Sequence, residues 1–326
     1  MDRASFLKSI GGALSTRLML GARTHVRSGE ADVPSAASLP QRRLGRTGVM
    51  LPILGLGGWH LGDAGSERAA RTLLESALAE GIRFFDNAES YHGGTSERWL
   101  GTALASLGVR NQVFLMTKTY DLVNRSRESA ARHLEGSLKR LRTERLDLWQ
   151  LHSVRSVDDV DRAFRSGGAM EYILEAQRQG VVRYVGVTGH QDPAANLRAL
   201  HYWDEGLRFD AMQMPLNPID YHQRSFERQV LPELVKRDIG VIAMKTSGDG
   251  RLLRNRVCTA AECHRYAWSL PVSVAVVGME RPALVQENAR YARAFAVLTD
   301  AERRALLERV APRASLRLEP YKTGGY

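Results

Sequence analysis

Four side chains, Asp86, Tyr91, Lys118 and His152, are of types that together suit proton transfer to a carbonyl group. A tyrosine phenol, with an ordinary pKa of about 10, is a poor acid at neutral pH. A nearby ammonium lowers that pKa, and a carboxylate holds the ammonium in place and charged. An imidazole beside the phenol orients the carbonyl oxygen. The set therefore predicts a tuned general acid facing a carbonyl, with hydride supplied by a cofactor because no side chain supplies it.

These residues lie at or just after the ends of short apolar runs that predict β-strands. Asp86 ends the second run, Lys118 ends the third, and His152 follows the fourth. The candidate strands are 51–56, 82–86, 113–118, 146–151, 182–187, 210–214, 240–245 and 273–278. Helical patterns occupy 67–80, 126–141, 169–179, 282–296 and 300–310. A short hairpin is expected over 41–50, where Gly45 and Thr47-Gly48 are turn signals.

Eight strands that alternate with helices predict an α/β fold with parallel strands and right-handed crossovers. A closed barrel and an open doubly wound sheet would both accommodate them. The even spacing favours a single-domain (β/α)8 TIM barrel over residues 41–315. Because the C-terminal strand ends of such a barrel surround one site, we expect Asp86, Lys118 and His152 to meet there.

Other strand ends also carry glycine or polar residues. Gly58 and Trp59 follow the first strand, and glycines at a strand end let a ligand approach the backbone. The later strands lead to Thr188, Gly189, His190, Gln213 and Lys245. A dinucleotide fingerprint after a strand, a P-loop, an HExxH helix and a GxSxG elbow are all absent from the sequence.

Five separate motifs occur in order and resemble those of the aldo-keto reductase family. They are Asp86–Glu97 (DNAESYHGGTSE), Thr117–Thr119 (TKT), Leu151–Val154 (LHSV), the loop GVTGH at 186–190, and VVG at 276–278 followed by Glu287-Asn288. The resemblance extends over about residues 41–312. It implies a (β/α)8 barrel, an NAD(P)H cofactor and reversible reduction of an aldehyde or ketone, which makes a small carbonyl compound the expected substrate.

The resemblance also implies a role for each motif residue. Tyr91 would be the proton donor, Lys118 and Asp86 would tune it, and His152 would orient the carbonyl. Contacts with the cofactor are expected from Gly58, Thr188, Gly189, Gln213, Met244, Lys245, Arg281, Glu287 and Asn288. Thr188, Gly189 and Gln213 match the nicotinamide end, and Glu287 and Asn288 the adenine end. Contacts with the substrate are expected from Trp59, His92 and His190.

Three departures from the family pattern concern the cofactor. Thr188-Gly189 stands where the family often has Ser-Asn, so a side-chain amide is missing. Met244 stands where many members stack a tyrosine on the nicotinamide, and a thioether covers a ring face less specifically. After the eighth strand, Arg281 would pair with a 2′-phosphate whereas Glu280 would repel it. Both NADPH and NADH stay open, and the resemblance favours NADPH.

The formal net charge of +10 raises the question of a polyanionic partner. Residues 1–39 hold five basic and three acidic groups, so most of the charge lies in the predicted barrel. There it is spread along helical segments, for example at Arg132, Lys139, Arg140 and Arg142, as on a solvated outer ring of helices. Without an aromatic-interleaved basic run, we expect no nucleic-acid partner. The pattern does not indicate an oligomeric state.

Residues 1–40 differ from the rest and are interpreted as a leader or linker, and residues 316–326 as a C-terminal tail. Residues 3–8 (RASFLK) resemble a twin-arginine export signal that has Ala4 in place of its second arginine, and Arg17 interrupts the apolar stretch that follows. A cytoplasmic location is favoured over export. Because no run of about 18 apolar residues occurs, stable membrane insertion is not expected. Cys258 and Cys263 are interpreted as ordinary thiols, and no metal site is expected.

A second function also fits a nucleotide-binding barrel: regulation through a protein partner, with little turnover. The intact set of Asp86, Tyr91, Lys118 and His152 argues against it, because a pure sensor has no need of the acid.

Overall fold

The structure, a computed structural model, describes residues 38–324, and in this part of the chain eight parallel strands close into a barrel. The strands are β3 (Leu54–Gly57), β4 (Phe84–Asp86), β5 (Phe114–Thr119), β6 (Leu146–Val154), β7 (Val182–Gly189), β8 (Ala211–Pro215), β9 (Gly240–Met244) and β10 (Val274–Val277). Each pairs with the next in sequence, and β10 pairs with β3. The (β/α)8 barrel predicted from the alternating pattern is confirmed.

The hairpin that precedes the barrel closes its N-terminal end. Its strands, β1 (Gln41–Arg43) and β2 (Met50–Pro52), pair antiparallel, as predicted. Leu44 and Leu51 from the hairpin join the apolar cluster of the barrel interior. The single strand predicted over 51–56 is wrong, because the chain turns at Ile53, whose N–H donates to the Pro40 carbonyl rather than to a barrel strand.

Helices surround the barrel, and the predicted ones are present with small differences at their ends. They are α1 (Gly58–Gly62), α2 (Glu67–Ala79), α3 (Thr95–Leu107), α4 (Arg127–Leu141), α5 (Val157–Phe164), α6 (Ala169–Arg178), α7 (Pro193–Asp204), α8 (Phe226–Gln229), α9 (Leu231–Lys236), α10 (Arg251–Arg254), α11 (Ala260–Ser269), α12 (Pro282–Arg293) and α13 (Asp300–Val310). Capping explains several starts: Ser66 and Ser126 cap α2 and α4, and Thr259 and Thr299 form capping boxes at α11 and α13.

The segment after α13 packs into the barrel rather than projecting from it. It forms short 3-10 turns at Leu316–Leu318 and Pro320–Thr323, and Tyr321 and Lys322 are fully buried. The Lys322 ammonium donates to Asp220 Oδ1 at 2.6 Å and to Glu319 Oε2 at 2.7 Å. Because Asp220 follows β8, these bonds hold the segment against the C-terminal ends of the barrel strands.

The export signal considered for the leader lies outside the described residues. Within residues 38–324, no helix has both the length and the apolar character needed to cross a bilayer.

A buried histidine makes the fold sensitive to acid. His264 of α11 bonds through Nδ1 to Thr246 Oγ1 at 3.1 Å, and burial lowers its pKa to about 4. In the unfolded chain His264 takes up a proton at about pH 6.5. Its contribution to the free energy of unfolding is therefore complete above that pH and is lost as the pH falls toward 4.

We expect His264→Gln to flatten the pH dependence of unfolding between about pH 7 and about pH 5 by up to about 1.4 kcal/mol per pH unit. Urea unfolding at the two pH values measures this slope. The matched control is His201→Gln on the exposed side of α7, which should leave the slope as it is in the wild type. An equal slope in the wild type and in His264→Gln would contradict the prediction.

Candidate active site

Strand register brings the predicted catalytic residues to one end of the barrel. Asp86 ends β4, Lys118 lies near the end of β5, and His152 lies near the end of β6. In the parallel ladders Asp86 pairs with Met116, and Lys118 pairs with Gln150, so the three side chains lie on adjacent strands. Tyr91 lies in the short turn Tyr91–Gly94 that follows β4.

The Lys118 ammonium is the centre of this cluster, and its side chain is 1% exposed. It donates to Asp86 Oδ1 in a short ion pair, to the Asn87 carbonyl at 2.7 Å and to Tyr91 Oη at 3.3 Å. An ammonium has three hydrogens, and these bonds account for all three. Tyr91 Oη therefore accepts from Lys118 and keeps its own hydrogen for another partner.

Burial controls the protonation of the cluster. It raises the pKa of the Asp86 carboxyl and lowers that of the Lys118 ammonium, and in each case the opposite charge counters the shift. Burial and then the Asp86 carboxylate raise the pKa of Tyr91 well above its ordinary value. This direction is opposite to the lowering expected from Lys118, because burial and the nearby carboxylates disfavour the phenolate. The phenol consequently carries its proton at neutral pH.

The His152 imidazole is neutral in these surroundings. Burial, followed by the positive charge of Lys118 and, further down, that of Arg125, lowers its pKa well below the ordinary value. Its ring is nearly perpendicular to that of Tyr91, with centroids 6.0 Å apart. Among residues 38–324 no group hydrogen-bonds its Nδ1, although the side chain is buried. A neutral imidazole beside a phenol is suited to bind a ligand oxygen.

Aromatic side chains form the rim around the phenol. The Trp59 ring lies 5.4 Å from Tyr91 and 4.5 Å from His92, and His92 Nε2 lies 3.0 Å from the Trp59 carbonyl. The Tyr120 ring, 43% exposed, lies 5.5 Å from His152. Trp59 and His92, predicted to contact substrate, therefore lie beside Tyr91. Tyr120 was missed, although its position directly after the TKT motif was an available signal.

His190, which was also predicted to contact the substrate, lies next to Ser153 of β6 and Tyr321 of the C-terminal segment. Its Nε2 lies 3.3 Å from Ser153 Oγ, and its ring centroid lies 6.1 Å from that of Tyr321. Burial lowers its pKa to about 4. The C-terminal segment, which sequence reasoning set aside as a tail, thus contributes a wall next to the predicted site.

Residues predicted for the nicotinamide end belong to buried hydrogen bonds between strands. Thr188 Oγ1 accepts from the Ser153 N–H at 2.8 Å, and Gln213 Oε1 accepts from Gln150 Nε2 at 3.3 Å. A Cβ at Gly189 would lie 2.1 Å from Asn196 Oδ1, so a side chain there requires the buried Asn196 side chain of α7 to move. The close contact favours glycine at the position where the family often has asparagine.

The remaining cofactor candidates lie around the ends of β9 and α12. Met244 is half-buried at the end of β9, and Lys245 Nζ donates to Asp249 Oδ1 at 2.9 Å. Arg281 is exposed at the start of α12. Further along this helix, Glu287 accepts from Tyr291 Oη at 2.6 Å, and Asn288 donates to the Leu284 carbonyl at 2.8 Å.

Gly58 has a packing role in this structure. A Cβ at this position would lie 2.3 Å from the Asp86 carbonyl oxygen and 3.0 Å from the Asn87 side chain. We expect Gly58→Ala to displace that segment and to cost about 1–3 kcal/mol of unfolding free energy, with loss of any activity that depends on Asp86. Urea unfolding and a turnover assay measure both effects.

The matched control is Gly136→Ala inside α4, where the added Cβ meets only the flexible end of Arg140. That change should be neutral or stabilising, because alanine favours a helix over glycine by about 1 kcal/mol. A Gly58→Ala protein as stable and as active as the wild type would show that the close contact is relieved at no cost.

Several known proteins of one family are similar to this chain. Residues 53–260 match the model of the Aldo/keto reductase family. Methylglyoxal reductase YeaE of Escherichia coli is 31% identical over 232 residues, which cover 70% of this chain and 76% of that protein. The uncharacterised oxidoreductase YrpG of Bacillus subtilis is 30% identical over 230 residues, 64% of this chain and 67% of that protein.

Solved structures share the fold. An aldo-keto reductase of Bacillus halodurans superposes with a TM-score of 0.70 at 22% identity, covering 86% of this chain and 99% of that one. A putative aldo-keto reductase of Pseudomonas aeruginosa gives 0.64 at 26% identity, covering 78% and 94%. The family match, the relatives and the strand-end cluster lead to one conclusion: the chain belongs to the aldo/keto reductase family of oxidoreductases.

Proposed function

We propose that this protein reduces an aldehyde or ketone to an alcohol with NAD(P)H, and that Tyr91 supplies the proton. The observation that carries the proposal is the bond from Lys118 Nζ to Tyr91 Oη at 3.3 Å, made by an ammonium already paired with Asp86. Membership of the family and similarity to a protein named methylglyoxal reductase support the reaction class.

When bound, the nicotinamide supplies the hydride to the carbonyl carbon. The chain's own residues manage the oxygen. His152 orients the carbonyl through its neutral imidazole, which lies beside the Tyr91 ring. The Tyr91 hydroxyl then gives its proton to the oxygen, and the C–O double bond becomes an alcohol. The phenolate that is left on Tyr91 is stabilised by the Lys118 ammonium, whose own charge is kept by Asp86.

The residues around the other strand ends suit a nicotinamide dinucleotide. The C-terminal ends of the next three strands, β7, β8 and β9, carry Thr188, Gly189, Gln213 and Met244. Gly58 packs against the Asp86 carbonyl. We assign the adenine to Glu287 and Asn288 on α12 and the phosphates to Lys245 and Arg281. Because Arg281 is exposed at the start of a helix whose free N–H groups attract anions, it favours the 2′-phosphate of NADPH.

One assay tests the reaction, the coenzyme and the substrate class together. Oxidation of NADPH and of NADH by the purified protein is followed over a panel of aldehydes, ketones and quinones. We expect turnover with at least one carbonyl class, and faster turnover with NADPH than with NADH. Tight nucleotide binding without turnover on any carbonyl would reject the reductase and favour the regulatory barrel.

A further inference from the structure

The strand that carries His152 bends at its end. The register between β6 and β7 shifts between Leu151 and Val154, and Ser153 has a φ of 55°, in the left-handed region. A serine held there costs of order 1 kcal/mol or more, so surrounding contacts have to maintain it. The bend follows His152 directly, and it therefore sets the direction in which the imidazole points.

Arg125 makes the contacts that hold the bend. Its side chain is fully buried, and it donates from Nη1 to the His152 carbonyl at 2.7 Å and from Nη2 to the Ser153 carbonyl at 2.8 Å. These two carbonyls belong to the irregular part of β6, and the same guanidinium binds both.

Asp159 of α5 fixes the guanidinium from the other side. Its Oδ1 accepts from Arg125 Nε at 2.9 Å, and its Oδ2 accepts from Arg125 Nη2 at 2.7 Å. The Arg155 N–H also donates to Oδ2, at 3.0 Å. A two-bond contact between a planar guanidinium and a carboxylate has little freedom to rotate. The bend therefore depends on a rigid buried pair rather than on the strand alone.

We propose that Arg125, held by Asp159, is a positioning residue that fixes the main chain of His152 and Ser153 and so aims the imidazole at the substrate carbonyl. This inference rests on the proposed function. The Arg125 charge also contributes to the lowered pKa of His152, after burial and the charge of Lys118. Arg125 thus supports both the direction and the neutral state of the ring.

A matched control lies at the opposite end of the same strand. Arg110 donates to Asp147 Oδ2 at 2.8 Å and to the carbonyl of Arg145, the residue before β6, at 2.7 Å, so it also binds a carboxylate and a main-chain carbonyl at one end of this strand. Arg125→Met and Arg110→Met both remove hydrogen bonds of this kind.

We expect kcat to fall about 100-fold in Arg125→Met, with the nicotinamide Kd unchanged, because small misplacements of a catalytic group have effects of this size. We expect Arg110→Met to keep its kcat. Equal kcat in the two variants would overturn the proposal.

Two further variants and a spectroscopic readout keep the test decisive. Arg125→Lys and Asp159→Asn retain buried polar side chains, so they serve if Arg125→Met does not fold. NMR of the histidine rings, with His152 assigned from a His152→Gln spectrum, reports the ring directly and without turnover. We expect the His152 signals to shift in Arg125→Lys and Asp159→Asn but not in Arg110→Met. Unchanged signals would overturn the positioning role, whereas a wild type without turnover would reject only the reductase.

Discussion

Tyr91→Phe is expected to lose carbonyl reduction by about 10²–10⁴-fold, the usual contribution of a positioned general acid. The change removes one oxygen atom, which accepts from Lys118 Nζ at 3.3 Å. The ring remains, with its edge-on contacts to Trp59 and His152. Binding of the reduced nicotinamide, measured by fluorescence, should therefore be retained while kcat falls.

Tyr120→Phe is the matched control for this experiment. Tyr120 is another phenol at the same rim, 5.5 Å from His152, and it lies on the exposed side. Its hydroxyl has no bond with Lys118 among the described residues, so we expect this variant to keep most of its turnover. Full turnover in Tyr91→Phe would reject Tyr91 as the acid.

The second large effect is expected at Lys118. Lys118→Met leaves the buried Asp86 carboxylate without its cation, and such an uncompensated charge typically costs about 3–5 kcal/mol. Urea unfolding at neutral pH measures the loss of free energy. Turnover should also fall to the level of Tyr91→Phe or below, because the phenolate formed in the reaction loses its stabilising ammonium.

The double variant Lys118→Met with Asp86→Asn separates stability from chemistry. Removing both charges avoids the buried unpaired carboxylate, so much of the unfolding free energy should return. Activity should not return, because Tyr91 still lacks its partner. If Lys118→Met were as stable as the wild type, the burial of Asp86 in the folded protein would be incomplete.

The sequence was sufficient to predict the barrel because its strands are buried on both faces. All four residues of β10, for example, are buried, and this produces an unbroken apolar run in place of an alternating pattern. The residue that ends each run was correspondingly easy to find, which is why Asp86 and Lys118 were identified from position alone. The apolar run at 51–56 led to the wrong prediction of a single strand, because apolar residues of the hairpin and of β3 are contiguous in sequence.

Contacts between residues far apart in the chain could not be predicted from the sequence. Arg125 and Asp159 stand in polar stretches with no motif, and only the fold brings both to the end of β6. The approach of Tyr321 to His190 is of the same kind. The pKa of Tyr91 was misjudged for a physical reason: residue types indicate which charges are near, but the depth of burial, which dominates here, depends on the folded structure.

The pairing of β3 with β10 has a consequence for biosynthesis. Leu54 and Ala275 are partners, so about 220 residues separate the two strands that close the barrel. At roughly 5–20 residues per second, a ribosome releases β10 roughly 10–40 s after β3. Throughout that interval one edge of β3 has no partner, and unpaired strand edges promote aggregation. The nascent chain should accordingly depend on chaperones until its last strand has emerged, and its yield on expression should respond to their supply.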